Sequence, residues 1–134
     1  MDGPDRDQSA FPMPSKQDVA SFIRASFRSV WALELLCFLR QNEGRSLSHA
    51  EMVAGLRGSD LVVRQSVESL AAAGLILPEA DGGARYGPAS AALDALAGHA
   101  EALYRTSPDA VRRLIVASPD SIAAFADAFR LRRE

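Results

Sequence analysis

The sequence predicts a mainly α-helical protein with one small β-hairpin, and three observations carry that expectation. Apolar residues three and four apart recur along the chain, in stretches that open on a serine able to cap a helix. Within residues 48–86, Gly58-Ser59-Asp60 divides two short helical patterns and leaves almost no loop between them. Two short apolar runs, 75–77 and 84–86, then flank Asp81-Gly82-Gly83, the pattern of a hairpin closed by a glycine-rich turn.

Taken in order, residues 1–14 hold three Pro and three Asp with no apolar period, and read as a disordered or loosely docked arm. Ser15 and Asp18 form a capping box that opens a helix carrying Val19, Phe22, Ile23 and Phe27, with Arg24 and Arg28 one turn apart on it. Ser29 caps, or bends into, a strongly apolar helix reaching Gln41. Its apolar side includes Val30, Trp31, Leu35, Phe38 and Leu39, too wide a set for a surface helix, so it is expected at the centre of the core with Trp31 as an anchor. Leu47 is placed to give a short strand beside the hairpin.

Ser48 and Glu51 make a second capping box, and Met52, Val53 and Leu56 give the helix behind it an apolar face. Gly58 is expected in the left-handed conformation that ends that helix. The next helix, 61–73, turns Val63, Val67 and Leu70 inward, and Gly74 closes it. Tyr86 is expected to pack against the hairpin's partner helix. From 91 to 104, Leu93, Leu96, Ala100 and Leu103 form a narrow seam suited to a helix pair, within the chain or across a dimer. Ser107-Pro108-Asp109 and Ser118-Pro119-Asp120 each open a further helix, the first with Val111, Leu114 and Ile115, the second with Ile122, Phe125, Ala126 and Phe129. The second ends in Arg130, Arg132 and Arg133, which complement its dipole.

Residues 34–40 (ELLCFLR), the two helices after Ser48, residues 70–76 (LAAAGLI) and the hairpin 77–86 together resemble the winged helix-turn-helix family, most nearly the MarR-like bacterial transcriptional regulators. The resemblance spans about residues 29–88. It implies a winged helix-turn-helix core flanked by N- and C-terminal helices, with the arm at 1–14, the domain and its leading helix at 15–89, and a helical extension for packing or dimerisation at 90–134. It implies double-stranded DNA as partner and a homodimer built on the terminal helices.

Carried onto this chain, the family's major-groove helix is 61–73, with Asp60, Leu61, Arg64, Gln65 and Glu68 nearest base edges. Arg64 suits guanine, Gln65 adenine, and Glu68 the cytosine amino group. Ser59, with its neighbouring backbone N–H groups, suits a phosphate at the helix start, Ser69 flanks the outward face, and Arg85 and Arg45 are the cations able to reach the backbone from the wing side. Against these stand Asp60, where a phosphate would approach, and Leu61 and Val62, whose apolar surface suits a protein partner. A winged-helix adaptor without a DNA role is therefore the alternative reading.

Composition bounds the remaining classes. The chain has 134 residues, net charge −2 and a single cysteine, Cys37, so no internal disulfide forms and a reducing cytoplasm fits. Residues 45–88 hold four Arg (45, 57, 64 and 85) and five acids (Glu51, Asp60, Glu68, Glu79 and Asp81), so the reading unit is not basic. A continuous positive stripe joining the four Arg would favour DNA, and its absence the adaptor. No apolar run approaches the ~18 residues of a membrane span, and the N-terminus carries acids where a secretory signal carries bases. His49 and His99 lack partners at metal-ligand spacing, and no phosphate loop or nucleophile motif is present, so neither enzyme activity nor a cofactor is expected. Trp31, Tyr104 and the phenylalanines are candidates to line an effector pocket.

Overall fold

In the computed structural model, which describes residues 14–116, six helices and a two-stranded antiparallel sheet are present among the described residues. Residues 1–13 of the expected arm, the helix expected after Ser118 and the terminal arginines lie outside them.

Helix α1, Lys16–Ser26, starts on the expected box, with Ser15 Oγ accepting from the Asp18 N–H at 3.0 Å and Asp18 accepting from the Ser15 N–H at 3.1 Å. It buries Val19, Phe22 and Ile23 and stops at Ser26, where Phe27 turns extended and sets its ring edge-on against Phe22 at 5.7 Å. Arg28 therefore lies beyond the helix, and the expected helical pairing of Arg24 with Arg28 is not found. Helix α2, Val30–Gln41, begins where Ser29 Oγ accepts from the Ala32 N–H.

Helix α2 buries Ala32, Leu33, Leu35, Leu36 and Leu39, and it is the element that α3, α4 and the hairpin cover. Trp31 departs from expectation: it is 40% exposed where a core anchor was expected. Helix α3, His49–Leu56, has 8 residues and covers Phe38, and Gly58 just beyond it borders Trp31. The Phe38 ring packs so tightly on α3 that a Cβ at Gly55 would meet it at 2.4 Å, whereas a Cβ at Gly58 would sit 3.6 Å from Trp31.

Ser48 and Glu51 cap α3 reciprocally, as their spacing requires. The left-handed residue after α3 is Arg57, at φ 57°, and not Gly58. The helix reverses directly after Leu56, and the N–H groups of Arg57 and Gly58 both converge on the Val53 carbonyl. Helix α4, Asp60–Ala72, follows with Ser59 as its cap, and Gly74 leaves it at φ 77°.

Strands β1, Ile76–Pro78, and β2, Ala84–Tyr86, pair with Ile76 opposite Tyr86 and Leu77 opposite Arg85. Leu47 adds a single bridge to Ala84 with hydrogen bonds of 2.8 and 2.9 Å, the short extra strand that its position suggested. Gly83 permits it, since a Cβ there would lie 2.5 Å from the Leu47 carbonyl oxygen. Helix α5, Ala91–Thr106, and helix α6, Pro108–Val116, pack on each other and on α1. Ala97 and Ala100 are buried, and Leu93, Leu96 and Leu103 are partly buried against the same core, so the α5 seam packs within the chain.

One polar cluster ties these layers together. Arg40, near the end of α2, donates through Nε to Glu101 of α5 at 2.8 Å and through one terminal nitrogen to the Tyr86 hydroxyl at 2.8 Å, and Tyr86 in turn donates to Asp94 at 2.5 Å. The guanidinium lies 5.1 Å from the Tyr86 ring centre. Tyr86 thus packs as expected and also closes a hydrogen-bonded loop between core helix, hairpin and α5. Burial, then the hydrogen bond to Asp94, pushes its phenol well above the ordinary range, so it stays a donor at all working pH values. Arg40→Ala should lower stability by about 1–3 kcal/mol, because it leaves half-buried Glu101 and the buried Tyr86 hydroxyl without the guanidinium they share. Arg40→Lys should recover only part of that, lacking the planar fork. Urea unfolding measures both, and an unchanged midpoint for Arg40→Ala would show that the cluster does not brace the fold.

Candidate nucleic-acid interface

The turn between α3 and α4 fixes which side of α4 meets solvent. Ser59 Oγ accepts from the Val62 N–H at 3.1 Å, which sets the register of the first turn. Val63, Ser66 and Leu70 are then buried, with Val67 beside them half-buried, so Ser66 belongs to the inward face along with the three apolar residues expected there. Arg64, Gln65 and Glu68 emerge on the opposite side, exposed, and Ser69 is half-buried at its margin. Among the described residues, none of these three exposed side chains has a hydrogen-bond or ion-pair partner.

The start of α4 carries an interaction that linear spacing hid. His49 and Asp60 are the first residues of α3 and α4, and the short turn brings His49 Nε2 within 3.1 Å of Asp60 Oδ1. The tip of the hairpin abuts the same histidine: a Cβ at Gly82 would lie 3.7 Å from His49 Cβ. His49 thus sits between hairpin tip and helix start with a carboxylate as partner. The legible signal was the matching position of the two residues after consecutive serine caps.

The cations expected on the wing side are present but accompanied. Arg45 approaches Glu51 at 3.5 Å, and Glu51 is held below the ordinary carboxylate range by the Ser48 backbone N–H first and by Arg45 after it. Arg85 projects outward on the exposed face of the hairpin beside Leu77. Glu79 accepts from the Ser46 hydroxyl at 2.8 Å, and Asp81 from the Gly83 N–H at 2.9 Å, which ties down the acids of the hairpin loop. Arg45, Arg57, Arg64 and Arg85 are all exposed, and exposed Glu51, Asp60, Glu68 and Glu79 accompany them on the same elements and loops. The surface is of mixed sign.

The outward side of α4 also forms one wall of an open groove of about 780 Å³, whose other wall is the junction of α1 and α2. Gln65, Glu68 and Ser69 face it from α4, and Arg28 and Trp31 from the junction. Beside it, Leu61 stands 55% exposed at the start of α4. A separate cleft of about 340 Å³ lies between α2 and α5, with Glu34, Cys37, Glu101 and Tyr104 on its walls. Trp31 and Tyr104 therefore face different cavities and do not share one effector pocket. Tyr104 donates to Glu34 at 2.5 Å and lies under the Arg112 guanidinium, 5.8 Å from its ring centre. Phe22 and Phe27 are core residues.

No cluster of three His, Cys, Asp or Glu side chains with metal-binding geometry occurs among the described residues, and no helix there is long and apolar enough to cross a membrane. No family model, curated protein or solved structure matches this chain.

Cys37 makes the character of the second cleft measurable. Burial first, then the charges of Glu101 and Glu34, push its thiol from 9.0 to about 12. At pH 8 the native protein should react with iodoacetamide at least ~100-fold more slowly than the urea-unfolded chain. Because the folded pKa is raised, the thiol's contribution to stability is present in full below the unfolded value and is lost as pH rises from 9 toward 12. Equal alkylation rates in the two states would contradict this assignment.

Proposed function

We propose that this chain is a DNA-binding transcriptional regulator of the winged helix-turn-helix type, in which α4 enters the major groove and the β1–β2 hairpin rests on the backbone. The observation that carries the reading is the exposed trio Arg64, Gln65 and Glu68, without partners among the described residues, on a helix of 13 residues whose other side is anchored in the core. A helix of that length runs about 20 Å, and the major groove of B-DNA, about 12 Å wide, admits it. The trio carries one donor fork, one amide and one acceptor, the groups that pair with guanine, adenine and cytosine edges respectively.

In this reading, Ser59 and the backbone at the start of α4 meet one phosphate, beside the hydrogen-bonded His49–Asp60 pair. Arg85 and Arg45 meet others, and Ser69 borders the contact. A homodimer doubles the small number of contacts each chain supplies and sets the spacing of two half-sites. Double-stranded DNA is the partner, the cytoplasm the location, and no catalytic step or cofactor is involved.

A second reading, a protein-binding adaptor built on the same fold, is favoured by one observation. Trp31 and Leu61 are exposed on or beside the groove that Val62 also lines, a concentration of apolar surface that DNA does not need. Arg64→Ala and Arg85→Ala separate the two. For a DNA reader, Arg64→Ala should weaken binding to the preferred duplex by about 10- to 100-fold and relax one base position, while Arg85→Ala should weaken all duplexes alike and reduce the salt slope by about 1. Fluorescence anisotropy with labelled duplexes measures both, and unchanged affinity in both variants would remove these roles.

A further inference from the structure

The outward ridge of α4 carries one side chain that hydrogen bonding cannot use. Leu61 is the one large apolar residue of α4 that is exposed, and it stands in the first turn, whose register the Ser59 cap sets. At about 100° per residue, Leu61, Gln65, Glu68 and Ala72 fall within a sector of about 60°, bordered by Arg64. Fully buried Leu70 lies on the opposite side, so the core behind the helix holds Leu61 outward. Trp31 and Val62, the neighbouring apolar side chains, line the groove to one side, and Leu61 is outside that lining. It belongs with the polar trio.

We infer that Leu61 is a specificity-determining residue that selects thymine in duplex DNA through the 5-methyl group, an inference that rests on the DNA reading of α4. In the major groove the four bases differ in their donors and acceptors, and thymine alone adds a methyl group. Arg64, Gln65 and Glu68 suit guanine, adenine and cytosine, and Leu61 supplies the apolar contact that the remaining base offers. The same side chain discriminates in the other direction. Against the polar edge of guanine or cytosine it would displace water and return no hydrogen bond. Leu61 precedes Gln65 by one turn, about 6 Å along the axis, so insertion of α4 brings both to the same half-site. Its exposure, which on the adaptor reading is a protein contact, thereby has a use in reading DNA.

The test removes the methyl group and nothing else. A duplex selected by the full chain from a random-sequence pool is remade with deoxyuridine in place of each thymine in turn, which keeps every base pair. Fluorescence anisotropy then gives the affinity of the wild-type chain and of Leu61→Ala, which withdraws the side chain to its Cβ. Alanine at an exposed helical position keeps the fold, and far-UV circular dichroism and a thermal melt check it. At one thymine in each half-site, uracil should weaken wild-type binding about 4-fold, the effect of one methyl group taken out of water. Leu61→Ala should bind the thymine duplex more weakly by at least about the same factor and should not distinguish thymine from uracil there, so the two losses do not add. Uracil without effect at every thymine, or an equal uracil penalty in wild type and Leu61→Ala, would overturn the role of Leu61 while selective binding left the DNA reading in place. Failure to select any duplex would overturn both, and would leave Leu61 to a protein partner.

Discussion

A helix that is apolar on more than one side has to be enclosed, and the architecture follows from how α2 is enclosed. Leu33, Leu35, Leu36 and Leu39 cannot be covered by one neighbour, so α4, α3 and the hairpin each take a sector. The one long polar side chain near the end of α2, Arg40, completes the enclosure by reaching the hairpin through Tyr86 and α5 through Glu101 and Asp94. The position of α4 is thereby determined from behind. Its apolar side is held against α2, its start is pinned by Ser59 and by the His49–Asp60 pair, and its exposed side chains project from a rigid support.

Local chemistry made much of this legible in the sequence. Serine caps at 15, 29, 48 and 59 all mark true helix starts, because a cap satisfies free N–H groups within three residues and needs no distant partner. The hairpin and the Leu47 bridge followed from short apolar runs and the glycines that let strands approach. The errors came from tertiary geometry. Trp31 fits the apolar period of α2 yet is 40% exposed on the groove beside α4, which the period of one helix does not reveal. Arg57 takes the left-handed position because the chain reverses one residue before the glycine. For the α5 seam, expected to pack within the chain or across a dimer, the contacts with α1 and α6 supply a partner within the chain.

At the candidate site, exposure was readable and pairing was not. Helical periodicity alone puts Arg64, Gln65 and Glu68 outward, and they are outward. That Asp60 has His49 as partner, or that Gln65 and Glu68 share a groove with Trp31, depends on a turn and a helix junction that bring distant residues together. Charge alone does not decide the function, since the interface cations are accompanied by carboxylates. Glu51 pairs with Arg45 and Asp60 with His49, while Glu79 and Asp81 accept from neutral donors and keep their charge and Glu68 stays exposed beside Arg64, so the surface remains of mixed sign.

The most direct test of the central claim is equilibrium binding of the full chain to a labelled duplex from upstream of its own gene and to a random duplex, each at two salt concentrations. The DNA-reading account predicts tighter binding to the upstream duplex and a steep fall with salt, the slope giving the number of phosphates contacted. No binding to either duplex at micromolar protein would contradict it and leave the apolar groove beside α4 as the functional surface.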